Sequence, residues 1–216
     1  MTATKTISSE SIISKYMNLL LSKAERPRSV YSFCKECKLS EADFYAHFGS
    51  FKTLEKKIWV AFFEHTFAVI QKNPDFEGYA SKDKLLTFYY TFFEMLTANR
   101  SYVLFVLEEH QAGMKTLSQL SELRKKVVHF AEELILEDNS TKQNKLTQRS
   151  EKIFSEAAWL QTLFILRFWL KDGSPSFEKT DLVIEKSVRV VFDVFDSTPL
   201  DGLLDFGKFL WKEATV

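Results

Sequence analysis

Cys34 and Cys37 form a C-x-x-C, a spacing that elsewhere supports thiol–disulfide exchange or supplies half of a zinc site. A zinc site needs two further ligands, and the sequence has no second C-x-x-C and no pair of histidines at metal spacing. Both cysteines fall with Val30 and Phe33 on one face of a short helical pattern, at i, i+3, i+4 and i+7. There they read as small inward residues, expected to stay reduced in a cytoplasmic protein. Glu108-Glu109-His110 sets acids beside a base, but successive helical residues point in different directions. There is no H-E-x-x-H, no G-x-S-x-G and no phosphate-binding glycine loop. The expectation is a protein that is not an enzyme and uses no metal or cofactor. What remains is recognition.

The recognition chemistry lies in residues 29–54, SVYSFCKECKLSEADFYAHFGSFKTL. Two short helices are expected, joined by a turn at Lys38-Leu39-Ser40 with Leu39 filling the corner. Ser29 caps the first helix. Ser40 caps the second, and Asp43 three residues on completes a capping-box pattern. Phe44 and Phe48, four apart, face the same core as the first helix. Such a helix-turn-helix holds its second helix so that it can lie in a DNA major groove.

From about Ile12 to Trp59 the chain resembles the DNA-binding domain of the TetR family of bacterial regulators. The family pattern is an apolar-Ala pair in the first motif helix, a small-residue turn, then aromatic-Tyr-x-His-Phe followed by a short turn, Lys and Leu. Phe33-Cys34, Lys38-Leu39-Ser40, Phe44-Tyr45-Ala46-His47-Phe48, Gly49-Ser50-Phe51-Lys52 and Leu54 hold those places here. The resemblance implies that Tyr45, His47 and Lys52 donate to DNA phosphates. It also implies that Glu41 and Ala42 at the start of the second helix face base edges, with Ser29 and Ser40 beside the backbone. This sequence departs from the pattern at three places. Asp43 replaces the usual Thr, Lys38 the turn Gly, and Phe51 a Lys, with Lys52 one place late. A lysine at a turn position of positive φ is expected to cost about 1 kcal/mol.

Length and composition fit an all-α protein. The 216 residues include only 6 Gly and 4 Pro, so long helices are favoured, and 21 Phe must be buried in a core, an interface or a pocket. No stretch of 18 apolar residues exists, so no membrane span is expected. Net charge is zero, yet residues 1–57 carry 10 Lys/Arg against 6 Asp/Glu and the remainder 19 against 23. A basic head on an acidic body matches a helix-turn-helix DNA-binding domain at 1–57 and a larger helical ligand-binding and dimerisation domain at 58–216.

Along the body, helices are expected at about 81–98, 102–111, 115–136, 151–171 and 181–195, with a polar loop at 138–148 and a final short helix after Pro199. VRVVFDVF suggests a strand by propensity alone. Ile184, Val188, Val191, Phe192 and Phe195 nevertheless recur at helical spacing. The helix at 151–171 is apolar on nearly every side, which calls for burial on two sides and hence a second subunit. With 181–195 it occupies the place where the resembled family builds a four-helix homodimer interface. Phe88, Phe92, Tyr102, Phe105, Phe130, Phe164, Arg167 and Phe168 are candidates to line a pocket for a small hydrophobic ligand. Two functions stay open: a ligand-responsive repressor binding a palindromic double-stranded DNA operator as a dimer, or a hydrophobic-ligand or lipid-binding protein of the same fold that has lost DNA binding.

Overall fold

Each of the first four helices opens on a serine. Ser8, Ser29, Ser40 and Ser50 each accept a hydrogen bond from the backbone N–H three residues on, at 3.0–3.2 Å. Each such cap contributes about 1 kcal/mol by satisfying an amide that has no partner inside its helix. The computed structural model describes residues 7–108, 118–140 and 149–197. The helices begun by these caps are α1 (Ser9–Lys23), α2 (Val30–Cys37), α3 (Glu41–His47) and α4 (Phe51–Ile70). They are followed by α5 (Ser81–Ala98), α6 (Arg100–Glu108), α7 (Ser121–Ser140), α8 (Glu151–Lys171) and α9 (Glu178–Ser197). No strand occurs among the described residues, and the fold is all-α.

The chain packs as two compact units, residues 1–72 with 91–126 and residues 73–90 with 127–216. Helices α5 and α7 contribute to both. In the first unit α2 packs on α3 and α1 on α6. The core of its N-terminal part is a cluster of aromatic rings. Phe51 sits among Tyr16, Phe33 and Phe44 with ring centroids 5.4–5.7 Å away, and Phe44 also meets Phe33 and Phe48 at 5.9 Å. Three of these five pairs are edge-to-face and Tyr16 stacks on Phe51, and such pairs add about 0.5–1.5 kcal/mol each beyond area burial. Phe51 therefore stands where a lysine was the family expectation because its ring completes this core.

Beside the rings lies a buried polar group. Tyr16 donates its hydroxyl to Glu55 Oε1 at 2.6 Å, and Arg26 Nε lies 3.2 Å from the same oxygen. Burial above all, and then the Glu55 charge, push the Tyr16 phenol far above its ordinary range, so it stays a donor. Tyr102 from α6 is buried nearby, and burial followed by the Glu55 charge raises its phenol in the same way.

The turn between α2 and α3 is made by Lys38 at φ 54° and ψ 49°, the left-handed region. Its N–H and that of Leu39 both return to the Cys34 carbonyl, which fixes the angle between the two helices. The strain expected for a non-glycine residue is thus present. Lys38→Gly should stabilise the protein by about 1 kcal/mol in urea unfolding. An unchanged or lower midpoint would show that the lysine side chain offsets its backbone cost.

In the second unit α8 packs against α9. Buried Ile184, Val188 and Phe192 recur every four residues along α9, so the helical period prevails over strand propensity. Gln161 Nε2 donates to Ser187 Oγ at 2.9 Å across the pair, and Tyr89 donates to the Ala158 carbonyl at 2.8 Å. Asp172 ties the start of α9, accepting from the Thr180 and Ser174 amides and hydroxyls. Burial alone would raise this carboxyl, but those four bonds outweigh it and hold it at about 2.

The C-terminal boundary of α7 shifts. Asp138, Asn139 and Ser140, expected to open a polar loop, continue α7. Asn139 is buried because its amide exchanges two hydrogen bonds with the Arg149 backbone, at 2.8 and 2.9 Å. The rest of that loop, Glu109-His110 and the helix expected after Pro199 lie outside the described residues. No described helix is long and apolar enough to cross a membrane.

Candidate nucleic-acid interface

Helix α3 is presented by its capping box and by one buried ring. Ser40 accepts from the Asp43 N–H at 3.0 Å. Asp43 Oδ2 in turn accepts from the Ser40 N–H at 2.9 Å and from its hydroxyl at 2.6 Å. The bond from the Ser40 hydroxyl, and then that from its N–H, hold the Asp43 carboxyl below its ordinary range. Phe44 is fully buried and Phe48 nearly so, which turns Glu41, Ala42, Tyr45, Ala46 and His47 outward.

Tyr45 is 54% exposed, its ring edge-on to Phe44 at 5.5 Å. That contact fixes the phenol's direction while leaving its hydroxyl in solvent. His47 is exposed, and its Nε2 lies 2.7 Å from the Ile7 carbonyl oxygen. A carbonyl only accepts, so this contact needs the proton on Nε2 and leaves Nδ1 as the outward nitrogen. Lys52 is exposed in the first turn of α4. Ser29 and Ser40 are also at the surface, but their hydroxyls are occupied as helix caps. All seven candidate DNA-contact residues thus belong to the first unit and reach its surface.

Some neighbouring groups carried no sequence signal. Tyr31 on α2 is exposed, and Arg28 is exposed just before the Ser29 cap. A cleft of about 540 Å³ opens beside His47, lined also by Glu10, Phe48, Lys57, Glu64 and His65. Its lining comes from α1, α3 and α4, a combination that no local spacing announces. Burial raises both Cys34 and Cys37 thiols, which disfavours the thiolate that redox or zinc chemistry requires. Among the described residues no group of three or more His, Cys, Asp or Glu side chains could hold a metal ion.

The eight candidate pocket residues divide between the units. Phe92 and Tyr102 are buried and Phe105 half-buried in the first. In the second, the Phe88 and Phe130 rings meet at 5.0 Å inside the core. Phe164, Arg167 and Phe168 instead line an open cleft of about 530 Å³ with Lys171 and Lys179. Phe164 also borders an almost wholly apolar groove of about 540 Å³ between α8 and α9, with Leu160, Val183, Val190 and Val191.

Residues 84–210, more than half of the chain, match the family model described as tetracyclin repressor-like, C-terminal domain. The chain belongs to the TetR family of regulators. The matched residues are the body, where the sequence had offered only helical pattern and length. The helix-turn-helix lies outside them. No curated protein matches the sequence.

Proposed function

We propose that this protein is a ligand-responsive transcriptional repressor that binds a palindromic operator as a homodimer. The division of labour runs from a DNA-binding head at 1–57 to a ligand-binding and dimerising body at 58–216. The observation that carries the reading is the outward presentation of α3, with Tyr45, His47 and Lys52 exposed along one short stretch of the head. Family membership, shown on the body, supports the same reading. In each protomer α3 enters a major groove, while Tyr45 and Lys52 donate to phosphates, and the outward nitrogen of His47 does so in the imidazolium form. The exposed apolar faces of α8 and α9 support pairing of two copies through those helices. A small hydrophobic ligand in the body regulates DNA affinity by binding better to the conformer whose heads are wrongly spaced.

Selection from random duplexes by the purified protein tests this. Enrichment of a palindrome is expected, with Tyr45→Ala and Lys52→Ala each weakening binding similarly for all enriched sequences. Lys52→Ala should also reduce the steepness of the salt dependence by about one charge. Failure to enrich any sequence rejects the repressor reading.

The exposed carboxylate of Glu41 and the ring of Phe51 in place of a lysine favour a second reading. Here the same fold carries a hydrophobic ligand or lipid and has lost DNA binding. Absence of any enriched duplex, with a lipid co-purifying in native mass spectrometry, is its expected signature.

A further inference from the structure

We propose that Glu41 selects a cytosine in each operator half-site, an inference that rests on the DNA-binding reading above. The outward face of α3 offers little hydrogen-bonding chemistry. Asp43 is half-buried and tied to Ser40 through both bonds on Oδ2, which leaves only Oδ1 to accept; Phe44 is buried, and the Nε2 of His47 is held by Ile7. Ala42 and Ala46 are exposed but carry only methyl groups, and the Tyr45 phenol lies a full turn beyond Glu41. Glu41 is exposed, and its side chain makes no hydrogen bond or ion pair among the described residues. At the N-terminal end of α3, which the DNA-binding reading places toward the groove, it is the exposed carboxylate with both oxygens free.

An ionised carboxylate only accepts hydrogen bonds. In the major groove guanine presents O6 and N7 and thymine presents O4, all acceptors that repel it. Adenine offers its N6 amine, but the neighbouring N7 acceptor faces the second carboxylate oxygen. Cytosine offers its N4 amine with no acceptor beside it on the same base, so cytosine is the preferred partner. The exposed methyls of Ala42 and Ala46 fit thymine methyl groups in adjacent pairs. The same charge is repelled by every phosphate, so Glu41 lowers affinity for all DNA while raising the preference for its own site.

Those opposed effects supply the test, because a merely structural role moves neither. Glu41 follows the Ser40 cap, so its replacement leaves the Ser40–Asp43 box intact. Selections from random duplexes are run with wild type, Glu41→Gln and Glu41→Ala, with Asp43→Ala as a variant that loosens the box and leaves Glu41 in place. Wild type is expected to enrich a palindrome with cytosine at one position per half-site. In Glu41→Gln the cytosine-to-adenine ratio there falls about tenfold, with other positions unchanged. Binding to an unrelated duplex tightens severalfold in both Glu41 variants. Asp43→Ala keeps the cytosine preference. A palindrome whose base preferences are the same in wild type and Glu41→Ala overturns the assignment to Glu41 while leaving DNA binding standing. No enrichment by wild type removes both.

Discussion

In the proposed homodimeric repressor, Phe164→Glu is expected to leave the protein monomeric and to lower operator affinity by at least about a hundredfold. Phe164 is 53% exposed on α8 and its neighbour one turn earlier, Leu160, is 64% exposed. Leu182, Val190 and Val194 are exposed on the adjoining α9. Apolar side chains of this size each gain roughly 1.5–3 kcal/mol when fully buried. A two-fold interface counts every one of them twice. A carboxylate at Phe164 appears on both sides of such an interface and loses its hydration there, a cost that Lys186 in the groove and Arg167, Lys171 and Lys179 in the adjoining cleft offset only in part. On the proposed reading the two half-sites of an operator are held together only through this contact, so a monomer loses the gain from joint binding. Sedimentation across a concentration series checks the oligomeric state, and far-UV circular dichroism with urea unfolding checks the protomer. Little change in protomer stability is expected, because Phe164 already faces solvent there. Dimers that persist in Phe164→Glu, or a wild type that is monomeric at micromolar concentration, would reject α8 and α9 as the interface.

The legible parts of the molecule are those whose signal is local. The Ser29 and Ser40 caps, the Ser40–Asp43 box and the four-residue spacing of Phe44 and Phe48 lie within one helical turn of what they govern. The α2–α3 corner follows from them, including the positive φ of Lys38. In α9 the competing signals were a β-branched run and a four-residue period. The period prevailed because Ile184, Val188 and Phe192 all enter one core. What the sequence hid depends on groups far apart in the chain. Phe51 shows as a departure from a family pattern, and only the rings of Tyr16, Phe33 and Phe44 reveal why it is aromatic. Asn139 looks like loop composition until the Arg149 backbone is seen against it. Phe164 shares its aromatic character with Phe88 and Phe130, but its place on α8 turns it outward while their rings meet at a tilt inside. Periodicity identifies a residue as apolar and assigns it a face, but it does not say what that face meets.

Glu55 is the least legible residue of all, and its loss should be the most destabilising of the single changes considered. It lies among the apolar positions of α4, between Leu54 and Ile58, with its side chain almost wholly out of solvent. Glu55→Ala removes the acceptor of the Tyr16 hydroxyl and the carboxylate facing Arg26, whose own side chain is largely buried. Breaking such a pair from one side typically costs 3–5 kcal/mol, and the partial exposure of Arg26 places the expectation near the lower figure, about 3 kcal/mol. Tyr16 also stacks on Phe51 at 5.4 Å, so a hydroxyl forced to seek another partner pulls on the ring cluster that supports α3. Glu55→Gln keeps an oxygen for Tyr16 and gives up the charge, so it should lose about half as much. The double change Glu55→Ala with Arg26→Met should recover part of the single loss, because the buried cation leaves with its counter-charge. Urea unfolding of the four proteins measures all three differences. A loss below about 1 kcal/mol in Glu55→Ala would mean that water replaces the carboxylate without penalty. The polar contact would then be incidental to the head's stability, which would rest on its rings alone.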